Sequence, residues 1–432
     1  MNHARLIAGR EEVTSIPRRH TRWRADSGRA ILAALALVLL GLVLHRQVLD
    51  YAGPADERRF LDYIIRYLGA YSDIPSLYFR DHLWHHPLPY IGYALEYPVG
   101  TGLLIWLLSF VHGSMVAYFL TSALLLGAAA LLTVWLIGRF PRGNPWLLAL
   151  SPTLALYVLL NWDMFGVLLM VAALLLLERR RDGWGGLLLA VAVWTKFFPI
   201  VMLPVVVYER LLRGRRWDAA ALMVTFGLAT IAINGPFALT RGPAGLALRP
   251  AWLYFFRFNA NRPITPYSAN FWNLFGVYGI NISTAAINFA SGLLLIIGLG
   301  TVLLVMTQAA ARGAHPRHDL MLPAVVALIT WFLFINKIYS PQYSLWLAAL
   351  LALAGAPPLL AAAFAGVDLL FYATTWTGLY LDIRGFPAGA TWVYTQPAWD
   401  AMVLRELVML LIIAWALRRL LRPAETLSVH PD

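Results

Sequence analysis

The sequence predicts an all-α polytopic membrane protein, with about twelve transmembrane helices and one further apolar helix lying re-entrant or interfacial on the outer face. Three observations lead there. Of 432 residues, 60% are hydrophobic and 13% charged. Apolar runs of about 15 to 22 residues recur along nearly the whole chain. Most of these runs are apolar on every side, where a soluble helix would show one polar face.

The elements follow in order. Met1 to Arg29 is Arg-rich and polar and reads as a cytoplasmic tail. The apolar stretch Ile31 to Leu44 lacks a small-residue cleavage site after it, so it reads as a first span and not as a signal peptide. Residues 30–422 form one transmembrane body, and 423–432 a second cytoplasmic tail. Spans are expected at 30–46, 115–138, 145–160, 161–178, 184–196, 197–210, 217–236, 285–307, 320–336, 342–355, 357–376 and 401–418. Arginine clusters, among them Arg139 and Arg142, Arg179 to Arg181, and Arg210 to Arg216, mark the cytoplasmic side. Three long polar stretches, 46–97, 237–284 and 377–400, face outward. Counting Tyr97 to His112 as a crossing would move Arg139 and Arg142 outside, so this segment is expected to dip into the outer face without crossing. The short pairs around Lys196 and Gln342 read as hairpins whose outer turns lie below the membrane surface.

Several function classes drop out. Without cysteine there is no disulfide, thiolate metal site or thiol nucleophile. The net charge of +12 suggests nucleic acid, but the basic residues sit in short connectors and no nucleic-acid motif accompanies them. No phosphate-binding glycine loop, dinucleotide fingerprint or inverted repeat is present, and no cofactor is expected. His82, His85 and His86 form an H-x-x-H-H pattern, but no further cluster completes a metal shell.

Ionisable residues at membrane depth are costly and therefore candidates for function. The chain has two lysines, Lys196 and Lys337, and both fall at outer hairpin turns. A compact ammonium there either meets a phosphate or snorkels to the interface. Asp163, in LLNWDMFG, either caps the helix that follows or faces a substrate. Arg257 and Arg262 stand among aromatics in the second outer loop, with Arg241 and Arg249 nearby. That composition suits a sugar- and phosphate-gripping surface and equally an interfacial belt. Asp73, in YSDIPSLYFRD, is a general-base candidate for a hydroxyl proton, or a helix cap before Pro75.

Taken together, YSDIPSLY, EYPVGTG, NWDMFGVLL, WTKFFPIVMLPVVV and NKIYSPQYSLWL resemble glycosyltransferase family 87 in order and rough spacing, over about residues 60 to 350. The resemblance implies a C-type integral-membrane glycosyltransferase fold and a catalytic transmembrane body in a bacterial plasma membrane, with the active site outside. It implies an inverting transfer of a hexose, mannose by default, from a polyprenyl-monophosphate sugar to a glycolipid or polysaccharide acceptor. The first-loop aspartate acts as general base in such enzymes. On the matching motif that is Asp73, with Asp62 in FLDYIIRYLGAY as the runner-up. Lys196, Lys337 and one of Arg257 or Arg262 would meet the phosphate, Glu96 and Asp163 the sugar hydroxyls, and Gln342 and Tyr343 of S-P-Q-Y the substrate. Ala70 stands where relatives often carry Cys, and Arg80-Asp81-His82 where they carry R-G-L, so acceptor preference does not transfer. The competing class is a transporter or flippase of lipid-linked saccharides, whose ionisable residues belong nearer the bilayer midplane.

Overall fold

The computed structural model describes residues 19–111, 113–240, 242, 251–264, 270–312, 320–385 and 388–421. Arg241, Arg249, the first part of the N-terminal tail and the C-terminal tail fall outside them. Most of the described residues are helical, and an isolated bridge between Pro89 and Tyr93 is the sole β contact among them. In chain order the helices are α1 (Arg19–Leu44), α2 (Glu57–Ile64), α3 (Asp73–Arg80), α4 (Val99–Ser109), α5 (Met115–Ile137), α6 (Pro145–Ala149), α7 (Thr153–Tyr157), α8 (Asp163–Glu178) and α9 (Asp182–Thr195). They continue as α10 (Met202–Leu212), α11 (Arg216–Asn234), α12 (Tyr254–Asn261), α13 (Trp272–Val277), α14 (Thr284–Ala311), α15 (Met321–Ile335), α16 (Tyr343–Ala354), α17 (Pro358–Ile383) and α18 (Ala388–Leu421).

Five segments among the described residues are long and apolar enough to cross a membrane: Ser27–Leu44, Met115–Ile137, Arg216–Phe237, Thr284–Ala311 and Pro358–Gly378. The remaining expected spans do not meet that length and apolarity among the described residues. Residues 145–160 split into α6 and α7 at Ser151 and Pro152, because proline cannot extend the preceding backbone ladder. The turn after α9 passes through a 3-10 segment, Phe198–Val201, before α10 begins. The 377–400 stretch, expected as a polar outer connection, is largely helical, carried by the end of α17 and the first turns of α18. Helix α4 has 11 residues, which rise about 16 Å, roughly half of a ~30 Å hydrocarbon core.

Burial sorts the helices into an inner and an outer set. Nearly every side chain of α15 and α16 is buried, and α8 joins them in the centre. Helices α11 and α14 instead present exposed Leu, Ile and Phe, as lipid-facing surfaces do. Where backbones approach closely, glycine is required: a Cβ on Gly166 of α8 would meet the Trp346 ring of α16 at 2.7 Å. Helix α16 ends at Gly355, which takes the left-handed conformation (φ 60°) that side-chain-bearing residues avoid.

The two ends of α9 differ in character. At its start, Asp182 accepts from Arg210 (2.7 Å) and Arg215 (2.9 Å), tying the α8–α9 turn to the α10–α11 turn. Its other end, about 21 Å away for 14 residues, carries Lys196. Deep in the bundle, Asp368 of α17 accepts from Ser344 of α16 at 2.5 Å, and Arg405 of α18 lies over the Tyr339 ring.

Candidate active site

A cavity of about 520 Å³ opens between the first-loop helix α3, the second-loop helix α12, the turn before α16, and α17. Two loop helices line it by the same rule. Helix α3 contributes Asp73, Ser76, Leu77 and Arg80, and α12 with its end contributes Phe255, Phe258, Asn259 and Arg262. Both sets are spaced i, i+3, i+4, i+7, the pattern of one helix face.

The start of α3 is fixed from outside the loop. Ser72 caps it, accepting from the Ile74 amide at 3.2 Å, while its own hydroxyl donates to Leu159 O at 2.6 Å. The Asp73 amide donates to Leu160 O at 2.8 Å. Because Ser72 does the capping, the Asp73 carboxylate is free of the backbone. The Tyr71 hydroxyl donates to its Oδ1 at 2.7 Å, and the Tyr97 hydroxyl to its Oδ2 at 3.1 Å. Removal from bulk water raises the Asp73 pKa above the usual carboxylate value; the two tyrosine bonds and Lys196 oppose the rise, and Glu96 adds to it. The carboxylate charge next to Tyr71, and burial around Tyr97, push both phenols upward, so both stay donors.

Lys196 stands on the other side of Tyr97. Its Nζ lies 5.2 Å from the Tyr97 ring centroid and 5.2 Å from that of Tyr343. It donates to Asp163 Oδ2 at 2.9 Å, and Trp346 Nε1 donates to Oδ1 at 2.6 Å. Both Asp163 oxygens are thus occupied, and the side chain is 2% exposed. The capping alternative for Asp163 gives way: Asn161 Oδ1 accepts from the Asp163 amide at 2.9 Å, while the Asp163 side chain makes no cap bond.

The other expected residues distribute as follows. Glu96 lines the cavity but is held by Arg80, whose NH1 and NH2 donate to its two oxygens at 2.6 and 3.0 Å. Gln342 and Tyr343 line the cavity together with Ser340 and Pro341, the whole S-P-Q-Y run. Arg262 lines it; Arg257, two positions after Phe255 and on another face of α12, does not. Lys337 stands outside the lining and donates to Ala260 O at 2.9 Å, bracing α12 from behind. Asp62 is exposed on α2, away from the lining. His82 and His85 are exposed, and His86 bonds Ser109 Oγ at 3.1 Å.

Two participants escaped the sequence reading, Tyr97 and Trp346. Tyr97 sits in the quoted E-Y-P-V-G run, but its partner Asp73 is 24 residues earlier and no periodicity links them. Trp346 reads as one more core aromatic in an apolar helix, and only its indole N–H gives it a polar task.

The arrangement offers a carboxylate whose protonation is tuned by two phenols, beside an ammonium and a guanidinium in one partly dry space. That set can take a proton from a hydroxyl and stabilise a departing anion. No curated protein matches the chain. The model of glycosyltransferase family 87 matches residues 95–335, a range holding Glu96, Tyr97, Asp163, Lys196 and Arg262 but neither Asp73 nor the S-P-Q-Y turn. That match covers more than half of the sequence, and the chain is a membrane glycosyltransferase belonging to glycosyltransferase family 87.

Proposed function

We propose that this enzyme is an inverting transferase of a hexose, mannose in the first instance, from a polyprenyl-monophosphate sugar to a hydroxyl of a glycolipid or polysaccharide. The observation that carries the reading is the junction at Tyr97, which bonds Asp73 through its hydroxyl and packs Lys196 against its ring. A base for the acceptor and a cation for the leaving group therefore stand one side chain apart.

Asp73 accepts the proton of the acceptor hydroxyl as that oxygen bonds to the anomeric carbon. The bond from the anomeric carbon to the phosphate oxygen breaks on the opposite face, which inverts the centre. The polyprenyl phosphate leaves with the bonding pair, its charge met by Lys196 and Arg262, which count for more in a dry site than in water. Lys196 keeps Asp163 as one partner and has two further N–H groups to offer. Asp163 fits a role in aiming Lys196 better than one in holding sugar hydroxyls.

The same reading carries a C-type fold of about twelve spans, the shorter buried helices completing crossings in pairs. It sets the cavity at the outer face of a bacterial plasma membrane. The opposite location of the Asp182, Arg210 and Arg215 network supports that orientation, since arginines gather on the cytoplasmic side.

The test is transfer of labelled mannose from polyprenyl-phosphate-mannose to membrane lipid acceptors by the purified protein in detergent. A labelled product of anomeric configuration opposite to the sugar donor is expected. Transfer from a nucleotide sugar with no lipid carrier would contradict the reading.

A further inference from the structure

The cavity is divided by charge. On one side lie Lys196, which is paired with Asp163 and also feels the charge of Asp73, and Arg262. On the other side, along α3 beyond Asp73, lie Ser76, Arg80, Glu57 and Glu96. From Asp73 to Arg80 the helix rises about 10 Å, so this second region extends well past the base.

Arg80 does not make that region positive. It donates to Asp81 through Nε (2.8 Å) and NH2 (3.0 Å), and to both oxygens of Glu96. One guanidinium is thus shared by two carboxylates. Glu57 lies close by, accepting from Ser76 Oγ at 3.0 Å and acting on the charge of Asp81. The balance is net negative, and the carbonyl end of α3 adds to it. Burial pushes Asp81 up to about 6, Arg80 opposes the rise, and the charges of Glu96 and Glu57 add to it.

An aromatic wall faces this floor next to the base. Trp376 of α17 packs on Tyr71, with centroids 5.7 Å apart, and Tyr71 is itself bonded to Asp73. Trp376, Tyr372 and Tyr71 all line the cavity. An aromatic face beside convergent hydrogen-bond acceptors is a setting for a sugar ring.

We infer that the α3 side of the cavity is an acceptor subsite for the uncharged end of a glycan, and that Glu57 and Glu96 select against phosphorylated or carboxylated sugars. This rests on the transferase reading above. Sugar hydroxyls donate to the free oxygens of Glu57 and Ser76 while one ring stacks on Trp376. An anionic sugar meets Glu57 and Glu96, and the cation lining that side, Arg80, is already shared between Glu96 and the buried Asp81. The anionic substrate is confined to the Lys196 and Arg262 side, which keeps the two substrates from exchanging places.

The test is calorimetric titration of the full-length protein in detergent with two probes, octyl mannoside and octyl mannoside 6-phosphate. Polyprenyl-phosphate-mannose turnover is followed in parallel. The neutral probe is expected to bind wild type at least tenfold more tightly than the phosphorylated one. Glu57→Gln narrows that ratio at least threefold by tightening the phosphorylated probe, and Trp376→Ala weakens the neutral probe at least fivefold. Unchanged elution profiles and melting temperatures establish that both variants are folded. Equal or tighter binding of the phosphorylated probe, a ratio unmoved by Glu57→Gln, or no binding of either probe overturns the inference. If sugar-donor turnover persists in those cases, the transferase reading survives and only the subsite falls; if wild type has no turnover with any polyprenyl donor, the reading falls first.

Discussion

The Tyr97 hydroxyl lies 3.1 Å from Oδ2 of Asp73, and the ring of the same tyrosine stands 5.2 Å from the Lys196 ammonium. One side chain therefore touches both the carboxylate and the cation. Tyr97 occupies the residue before Pro98, which caps α4 in an extended conformation, so its backbone has little freedom. Tyr90 donates to its carbonyl at 2.9 Å and holds it further.

Replacing Tyr97 by Phe removes a hydrogen bond that favours the ionised carboxylate. The Asp73 pKa, already raised by burial, rises again, because the lost bond was one of the effects lowering it. The ionised form is the working base, so the acid limb of the pH profile of kcat/KM moves to higher pH. The measurement is that profile for wild type and Tyr97→Phe. A loss of about tenfold at neutral pH is expected, from about 1.5–3 kcal/mol for a hydrogen bond to a charged group. Recovery toward wild type at alkaline pH would accompany it.

Asp163 and Lys196 form a buried pair, and removing one partner strands the other. Asp163→Ala is expected to destabilise the protein by about 3–5 kcal/mol. Trp346→Phe, which removes the N–H donor and leaves a smaller ring in a fully buried site, costs about 1–3 kcal/mol. Thermal unfolding in detergent measures both. Lys196→Ala leaves the buried Asp163 carboxylate unpaired, so it is also destabilising, and because Lys196 meets the charge of the leaving phosphate its kinetic effect falls on kcat as well as on the KM for the polyprenyl substrate.

Arg262 and Arg257 separate two surfaces of one short helix. Arg262→Ala is expected to raise the KM for the polyprenyl-phosphate sugar about tenfold, as for a charge-assisted phosphate contact. Arg257→Ala leaves it within about twofold, since that residue lies off the lining face. Steady-state kinetics of the two variants, at one fixed salt concentration, decides between a specific contact and a diffuse basic surface.

Gly100 tests the packing that delivers Tyr97. A Cβ there would meet Trp194 O at 2.6 Å, where α4 crosses the end of α9. The obstacle is backbone, which cannot step aside as a side-chain tip can. The Thr101 hydroxyl donates to Thr195 O at 2.5 Å at the same crossing. Gly100→Ala is expected to cost about 1–3 kcal/mol and to lower turnover more than Tyr97→Phe does, because both α4 and the Lys196 turn shift. Melting temperature and kcat together check this.

The sequence revealed most where chemistry is conspicuous against an apolar background. Lys196 and Asp163 stood out because charge is rare at that depth, and they prove to be each other's partners. Run length alone suggested short helix pairs around Lys196 and Gln342, and helices do flank both turns. What was hidden depended on distance in the chain. Tyr97 meets Asp73 across 24 residues, and Trp346 meets Asp163 across 183. Glu96 reads as a free acid until Arg80 is seen folded onto it. The choice between Arg257 and Arg262 needed the register of α12, which no apolar periodicity in a mixed aromatic loop supplies. The stretch 377–400 contains enough polar and aromatic residues to read as a loop, yet helix continues through much of it.

The most direct test of the account compares Asp73→Asn with wild type in transfer from polyprenyl-phosphate-mannose, with sugar-donor binding measured on the same preparations. The variant keeps the size of the side chain, its amide oxygen still accepts from one tyrosine while its amide nitrogen donates to the phenol oxygen of the other, and it cannot accept the acceptor's proton. The account predicts that it binds the sugar donor as wild type does and transfers at least about a thousandfold more slowly. Equal transfer by both proteins would contradict the assignment of Asp73 as base and return attention to Asp62.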